Sequence, residues 1–221
     1  MVLIDQWTAH VDAMKANGLR MTIGTRKEPE GEFVVPVRAY HLYEVCTLRP
    51  QFDIVFLTAK SYDTRWMVHF IEPFLKPDGL LVSMQNSMND EWITPIIGKH
   101  RDIACVLTGG GELLGPGHVW RNRSMKHRYY TLGELDGKVT PRLEELVTIL
   151  NDAGKTTIST DILAAKWTKL VRNSQSAVSA LCNMRSWKLL DDPRYVPTVA
   201  QITKEAMQIG QALGYKWEPI N

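Results

Sequence analysis

The bulk composition of this chain excludes more than it suggests. Cysteine is scarce: Cys46, Cys105 and Cys182 are the 3 in 221 residues. They are far apart and no CxxC occurs, so neither a zinc site nor a disulfide framework is indicated, and no metal site is expected. Reduced thiols in a cytoplasmic protein, serving as small core residues, are the expectation. An excess of one charge is also lacking. With 26 Lys+Arg against 24 Asp+Glu and a net charge of +2, no field argues for nucleic acid or a membrane surface. The one basic cluster, Arg121-Asn-Arg-Ser-Met-Lys-His-Arg128, has no repeat and no nucleic-acid motif beside it, and reads as a solvated strand or loop. No apolar run approaches the ~18 residues that a membrane span needs. Met1-Val-Leu-Ile has neither the charged start nor the apolar length of a signal peptide. Internal repeats and low-complexity tracts are missing too.

What is present is an alternation of strand-like and helix-like segments. Val2-Leu3-Ile4 is a short apolar run ending at Asp5, and Thr8 can cap a helix through Asn17, with Gly18 as its stop. Leu19 to Ile23 and Phe33 to Val37 are β-like and separated by a polar turn, which predicts a hairpin. Asp53-Ile-Val-Phe-Leu-Thr-Ala and Leu80 to Met84 read as fully buried strands, with a helical stretch from Ser61 to Leu75 between them. Asp90 to Ile97 is a short helix candidate. Ile103 to Thr108 and His118 to Trp120 are β-like and flank a glycine-rich turn region from Gly109 to Gly117. Pro141 to Ala153 is an amphipathic helix with Leu143, Leu146, Val147 and Leu150 on one side, closed by Gly154. Thr156 to Ser159 is a last strand. Strand and helix in turn are the pattern of a parallel α/β sheet. After Asp161 the pattern changes to two long helical segments, Ile162 to Met184 and Tyr195 to Leu213. The expected architecture is therefore a partial Rossmann-type doubly wound parallel sheet over residues 1–160, followed by an all-α domain over residues 161–221.

In a doubly wound sheet, ligands bind beyond the carboxyl ends of the strands. Three polar residues occupy such ends. Asp5 can accept hydrogen bonds from an adenosine ribose diol and would repel a 2′-phosphate, which favours NAD; it can also simply cap the following helix. Lys60 can meet phosphate or adenine, or stand as an exposed loop lysine. Asn86 can bond a nicotinamide or a substrate, or serve as a turn residue. The glycines that let a backbone approach a pyrophosphate are not found. Gly109-Gly110-Gly111 and Gly115 lack the GxGxxG spacing and open no helix, so such a unit would have to precede Met1.

In the helical segment, Lys169 and Asn173 are four residues apart and share a helix face. A cation beside an amide can polarise a carbonyl oxygen and orient a small polar substrate. The spacing alone is equally that of a solvated face. Leu163, Trp167, Leu170, Val171 and Val178 form the apolar stripe, and Lys166 reads as a surface residue.

With these pieces in order, the sequence resembles the ketopantoate reductase (2-dehydropantoate 2-reductase) family. The phrases that carry the resemblance run from Val2-Leu-Ile-Asp-Gln-Trp-Thr-Ala-His-Val-Asp-Ala-Met-Lys-Ala-Asn-Gly-Leu and Asp53-Ile-Val-Phe-Leu-Thr-Ala-Lys-Ser-Tyr-Asp-Thr to Ser83-Met-Gln-Asn, Gly115-Pro-Gly and Gly133-Glu-Leu-Asp-Gly. Ala165-Lys-Trp-Thr-Lys-Leu-Val-Arg-Asn and Leu189-Leu-Asp-Asp-Pro complete them. The resemblance implies a Rossmann domain followed by an all-α domain, with the active site in the cleft between. It also implies reduction of a small-molecule 2-keto acid to a 2-hydroxy acid by a nicotinamide cofactor, usually NADPH, in pantothenate synthesis. The family's W-x-K-L lysine falls on Lys169, the asparagine one turn later on Asn173, the asparagine of its Q-N-G turn on Asn86, and its strand-end lysine on Lys60.

Four departures stand beside it. The glycine-rich loop is absent; the Q-N-G turn reads Gln85-Asn86-Ser87; Ala177-Val178 replaces an asparagine usually followed by proline; and the helices bearing the family's substrate-binding serine and glutamate have no counterpart. Two alternatives stay open: an NAD-linked 2-hydroxyacid dehydrogenase on the same fold, which Asp5 suits, and a non-catalytic remnant or interaction module. An exposed sheet edge and an unfinished helical domain point to self-association, a homodimer being one expected outcome.

Overall fold

The computed structural model describes residues 1–25, 27–122, 128–185, 188–189 and 191–218. Most of the basic cluster, residues 123–127, lies outside them, as does the second leucine of Leu189-Leu-Asp-Asp-Pro.

The chain opens with β1 (Val2–Asp5) and α1 (Thr8–Asn17). Thr8 is the first helical residue rather than its cap, a place taken by Trp7, whose N–H donates to Asp5 Oδ1 at 2.7 Å. The predicted hairpin forms as β2 (Leu19–Gly24) and β3 (Pro29–Val35). It is followed by two elements with no sequence signal read above, β4 (Arg38–His41) and α2 (Leu42–Leu48). Next come β5 (Phe52–Leu57), α3 (Thr64–Ile71), β6 (Leu75–Ser83), α4 (Asp90–Ile97) and β7 (Asp102–Leu107). The glycine-rich stretch read as a turn region contains a strand, β8 (Gly111–Gly115), paired antiparallel with β9 (His118–Arg121). A strand pattern had been masked there by glycines, which contribute no alternating side chains. The remainder is β10 (Arg128–Glu134), α5 (Pro141–Asn151), β11 (Lys155–Ile158), α6 (Ile162–Ser174), α7 (Ser176–Leu181) and α8 (Val196–Ala212).

Three sheets result, with strand orders β4-β1, β3-β2-β9-β8 and β11-β10-β7-β6-β5. In the five-stranded sheet β5, β6 and β7 are mutually parallel, and β10 runs antiparallel to β7. The order matches a doubly wound sheet read 3-2-1-4-5-6. The parallel pair β4-β1 takes places three and two, and β5, β6 and β7 take four to six. No strand among the described residues pairs β1 with β5.

Alternation along the buried strands sends successive side chains to opposite faces. Leu80, Val82, Ile103 and Cys105 meet Leu143, Leu146 and Leu150 of α5 on one face. Leu81, with Leu57, meets Val68 and Ile71 of α3 and Ile93 and Ile97 of α4 on the other. Ala104 and Val106 continue that second face under Ile162 and Ala165 of α6. The sheet is thus covered on both sides, and α6, the first element of the helical region, is one of its covers. Gly133 on β10 makes the close approach possible: a Cβ there would lie 2.5 Å from Cβ of Ile162. Two of the three cysteines fit the expectation of core residues loosely; Cys105 is buried and Cys182 half-buried, but Cys46 on α2 is exposed, because α2 buries only Val45.

Candidate functional site at the carboxyl ends of the strands

Because β5, β6 and β7 are parallel neighbours, their carboxyl ends open on one edge. The loops leaving β5 and β6 are tied together by Gln85, which is 5% exposed. Its Nε2 donates to the carbonyls of Ala59 at 2.8 Å and Lys60 at 3.3 Å, and its Oε1 accepts from Thr64 Oγ1 at 2.9 Å and Asn89 Nδ2 at 3.1 Å. Every polar atom of this side chain is therefore engaged, and the two loops are held at fixed spacing. Asn89 Nδ2 and Ser61 Oγ both donate to the Asn86 carbonyl at 3.0 Å. Ser87 has φ 78, the left-handed region that favours glycine. The turn thus keeps a shape suited to glycine, at roughly 1–2 kcal/mol for the side chain it carries. The side chains of Asn86 and Lys60 are left exposed on this frame.

Lys169 reaches the same edge from α6. Its Nζ donates to the carbonyl of Leu107, the last residue of β7. Burial lowers its pKa below the ordinary lysine value, and the nearby charges of Lys166 and Arg172 push the same way. One N–H is used on Leu107, and two donors remain for an incoming oxygen. Asn173 lies one turn further along α6 and is exposed. Trp167, the tryptophan two residues before the lysine, fixes the helix from the other side. It stacks on Tyr215 with centroids 4.8 Å apart, and its Nε1 donates to the carbonyl of Ala206 on α8 at 3.3 Å.

Asp5 stands apart from this group. It ends β1, in the separate two-stranded sheet, and is half-buried with Oδ1 engaged by the Trp7 N–H. The structure therefore brings Lys60, Asn86, Lys169 and Asn173 to one sheet edge and its covering helix, and leaves Asp5 on a neighbouring strand whose Ile4 packs with the Leu57 cluster.

One assignment is corrected. Lys166 is not a surface residue: it is 3% exposed. Its Nζ donates to Asp90 Oδ2 and, at 3.4 Å, to Ser83 Oγ. Around Lys166 the face opposite the apolar stripe is covered by the sheet and α4 instead of solvent. Helical spacing cannot reveal this; the hint available in sequence was Ala164-Ala165, small residues that let a helix lie close to a sheet. Gln85, Thr64 and Asn89 were missed for a related reason, since a fully bonded buried amide looks like any polar loop residue until its partners are in place.

Residues 1–137 match the family described as ketopantoate reductase PanE/ApbA, and residues 161–221 match its C-terminal domain. The chain belongs to the ketopantoate reductase family. A 2-dehydropantoate 2-reductase of Archaeoglobus fulgidus is 28% identical over 178 residues, which are 78% of this chain and 58% of that protein. Another from Aquifex aeolicus is 25% identical over 183 residues, 81% of this chain and again 58% of its own length. The chain thus spans less than two thirds of the curated relatives it matches. Among solved structures, a ketopantoate reductase family protein of Ralstonia eutropha superposes with a TM-score of 0.78 at 23% identity, covering 96% of this chain and 66% of that one. D-mandelate dehydrogenase bound to NADH and anilino(oxo)acetate superposes with a TM-score of 0.83 at 17% identity, covering 98% and 68%. These two likenesses establish the Rossmann-like sheet followed by a helical domain.

The described residues fit the ends of a nicotinamide dinucleotide better than its middle. Asp5 suits a ribose diol, and Lys60 and Asn86 present exposed polar groups at adjacent strand ends. No described strand takes place one of the 3-2-1-4-5-6 order, the strand whose following turn cradles a pyrophosphate.

Proposed function

We propose that this chain is the core of an oxidoreductase that reduces a small 2-keto acid to a 2-hydroxy acid, with residues 1–160 holding a nicotinamide cofactor and residues 161–221 contributing the catalytic lysine. The observation that carries the reading is Lys169, half-buried with donors to spare at the carboxyl end of β7. When bound, the cofactor supplies a hydride. Lys169 holds the keto oxygen, stabilises the alkoxide that develops there and delivers its proton. An aimed donor of this kind contributes on the order of 3–4 kcal/mol to barrier lowering, and proton delivery roughly 10²-fold or more. Asn173 orients the substrate from the next turn. Asn86 positions the nicotinamide or the substrate, Lys60 meets cofactor phosphate, and Asp5 meets the adenosine ribose. The family relationship supports 2-dehydropantoate as the substrate, in the cytoplasm and in pantothenate synthesis, with NADPH as the usual reductant.

A second reading, an NAD-linked 2-hydroxyacid dehydrogenase, is favoured by the Asp5 carboxylate at the end of β1. Titration of NADH and NADPH separates the two, since a carboxylate facing the ribose diol selects against the 2′-phosphate. The decisive test is Lys169→Met assayed with 2-keto acids: turnover should fall about 10²–10³-fold while cofactor affinity is retained. Undiminished turnover rejects the assignment. Because Lys169 acts as a proton donor with a lowered pKa, the rate should also fall with rising pH before 10.5, the ordinary lysine value, is reached.

A further inference from the structure

Behind Lys169 lies a buried cluster that the reaction above does not use. Lys166 and Asp90 form an ion pair with side chains 2% and 4% exposed. Asp102, at 0% exposure, begins β7 and accepts from Thr94 Oγ1 at 3.0 Å through Oδ2. Thr94 and Asp90 are four residues apart on α4 and so share a face. Asp90 Oδ1 and Asp102 Oδ1 are both buried with no hydrogen-bond partner. The charges do not balance: one ammonium faces two carboxylates where water cannot compensate. The other groups at hand are Ser83 of β6 and the Cys105 thiol of β7, which burial pushes up to about 12 and keeps neutral. Glu91 of α4 is occupied by Tyr215 Oη at 3.2 Å, and Lys169 points to the far end of β7.

We propose that Asp90, Asp102 and Lys166 hold a single proton on the carboxylate pair, and that the charge-balanced cluster is a lock that seats α6, with Lys169 one turn on, against the sheet edge. These are positioning residues, and their functional meaning rests on the reading of Lys169 given above. Two orphaned acceptors facing a deficit of one positive charge are the arrangement that one added proton satisfies, since a protonated carboxyl gains a donor. Burial first, and the Asp90 charge second, raise the Asp102 carboxyl to about 8. The sign of the linkage follows. The folded state keeps a proton that the unfolded chain releases near the ordinary aspartate value of 3.8. The stability this contributes is complete below that value and is lost as pH rises through about 8.

The test uses the whole chain with ¹³C-labelled aspartate and lysine. At neutral pH one aspartate carboxyl should resonate in the protonated position and titrate with a midpoint of about 8. The Lys169 side-chain resonance should show a second inflection at the same pH, because its seat moves with the lock. In Asp102→Asn, which mimics the protonated group, both signatures should vanish. So should the fall in folding equilibrium constant, at most about tenfold per pH unit, between acid and neutral pH. Ionisation of every aspartate at neutral pH, or a Lys169 titration without the shared inflection, overturns the proposal; both are read in the unaltered chain even if Asp102→Asn does not fold. None of these readouts needs turnover. A chain that has the lock but reduces no keto acid refutes only the functional reading, and one that reduces keto acids with all aspartates ionised refutes only the lock.

Discussion

Helices α6 and α8 pack against each other, and both carry apolar residues at helical spacing, yet they are buried in different ways. The 13-residue α6 buries Ile162, Ala164, Ala165, Lys166, Trp167 and Val171. The 17-residue α8 buries Val199 and Gly210 and leaves Val196, Met207 and Ile209 substantially exposed. The first lies between the sheet and α8, so its N-terminal turns are covered from two sides, and exposure begins at Arg172 and Asn173; the second is covered from one side only. A shallow groove along α8, lined by Gln175, Val199, Thr203 and Met207, shares no residue with the strand ends. An apolar stripe states which face can be buried. What lies opposite the other face decides whether a lysine there is solvated or becomes part of a core.

The sharpest way to break this contrast is Lys166→Met. Removing one partner of a buried ion pair leaves a carboxylate uncompensated, with a typical loss of about 3–5 kcal/mol. Chemical denaturation at neutral pH should find a loss of that order. A loss below about 0.5 kcal/mol, the range of ordinary surface substitutions, would return Lys166 to the surface. A smaller effect is expected where the two helices touch. A Cβ on Gly210 would meet Trp167 Nε1 at 1.9 Å. Gly210→Ala therefore forces the indole to shift, at about 1–3 kcal/mol, even though alanine is the better helix former by about 1 kcal/mol. Thermal unfolding should show a net decrease, and the Trp167 fluorescence should change with it.

Much of this arrangement was legible before any coordinates. The buried strands β6 and β7 announced themselves because buried parallel strands are nearly uniform in polarity, and α5 through its 3.6-residue spacing; β5 carries the same apolar run, yet buries only Leu57 and leaves Asp53 exposed. Lys60, Asn86 and Lys169 could be placed because each lies at an element end or on a helix with recognisable flanking residues. Three things were hidden. Strand β8 is glycine-rich and shows no alternation. The break of the long helix at Gln175, between α6 and α7, leaves no proline or glycine as a mark. The cluster of Lys166, Asp90 and Asp102 joins residues up to 76 positions apart, and nothing local in any of them records the partner.

The smallest effect is the one that tests coverage most directly. Ile209, 55% exposed on α8, follows the same apolar spacing as Val171, 6% exposed on α6. If coverage and not spacing sets the energetics, Ile209→Ser should change stability by no more than about 0.5 kcal/mol, as a surface substitution does. Val171→Ala removes buried methyl groups and should cost more, about 1–2 kcal/mol at roughly 0.8 kcal/mol for each buried carbon. Paired denaturation curves decide it. Equal losses would mean that α8 is covered in solution by something absent from this structure. Unequal losses would mean that its outer face is simply wet.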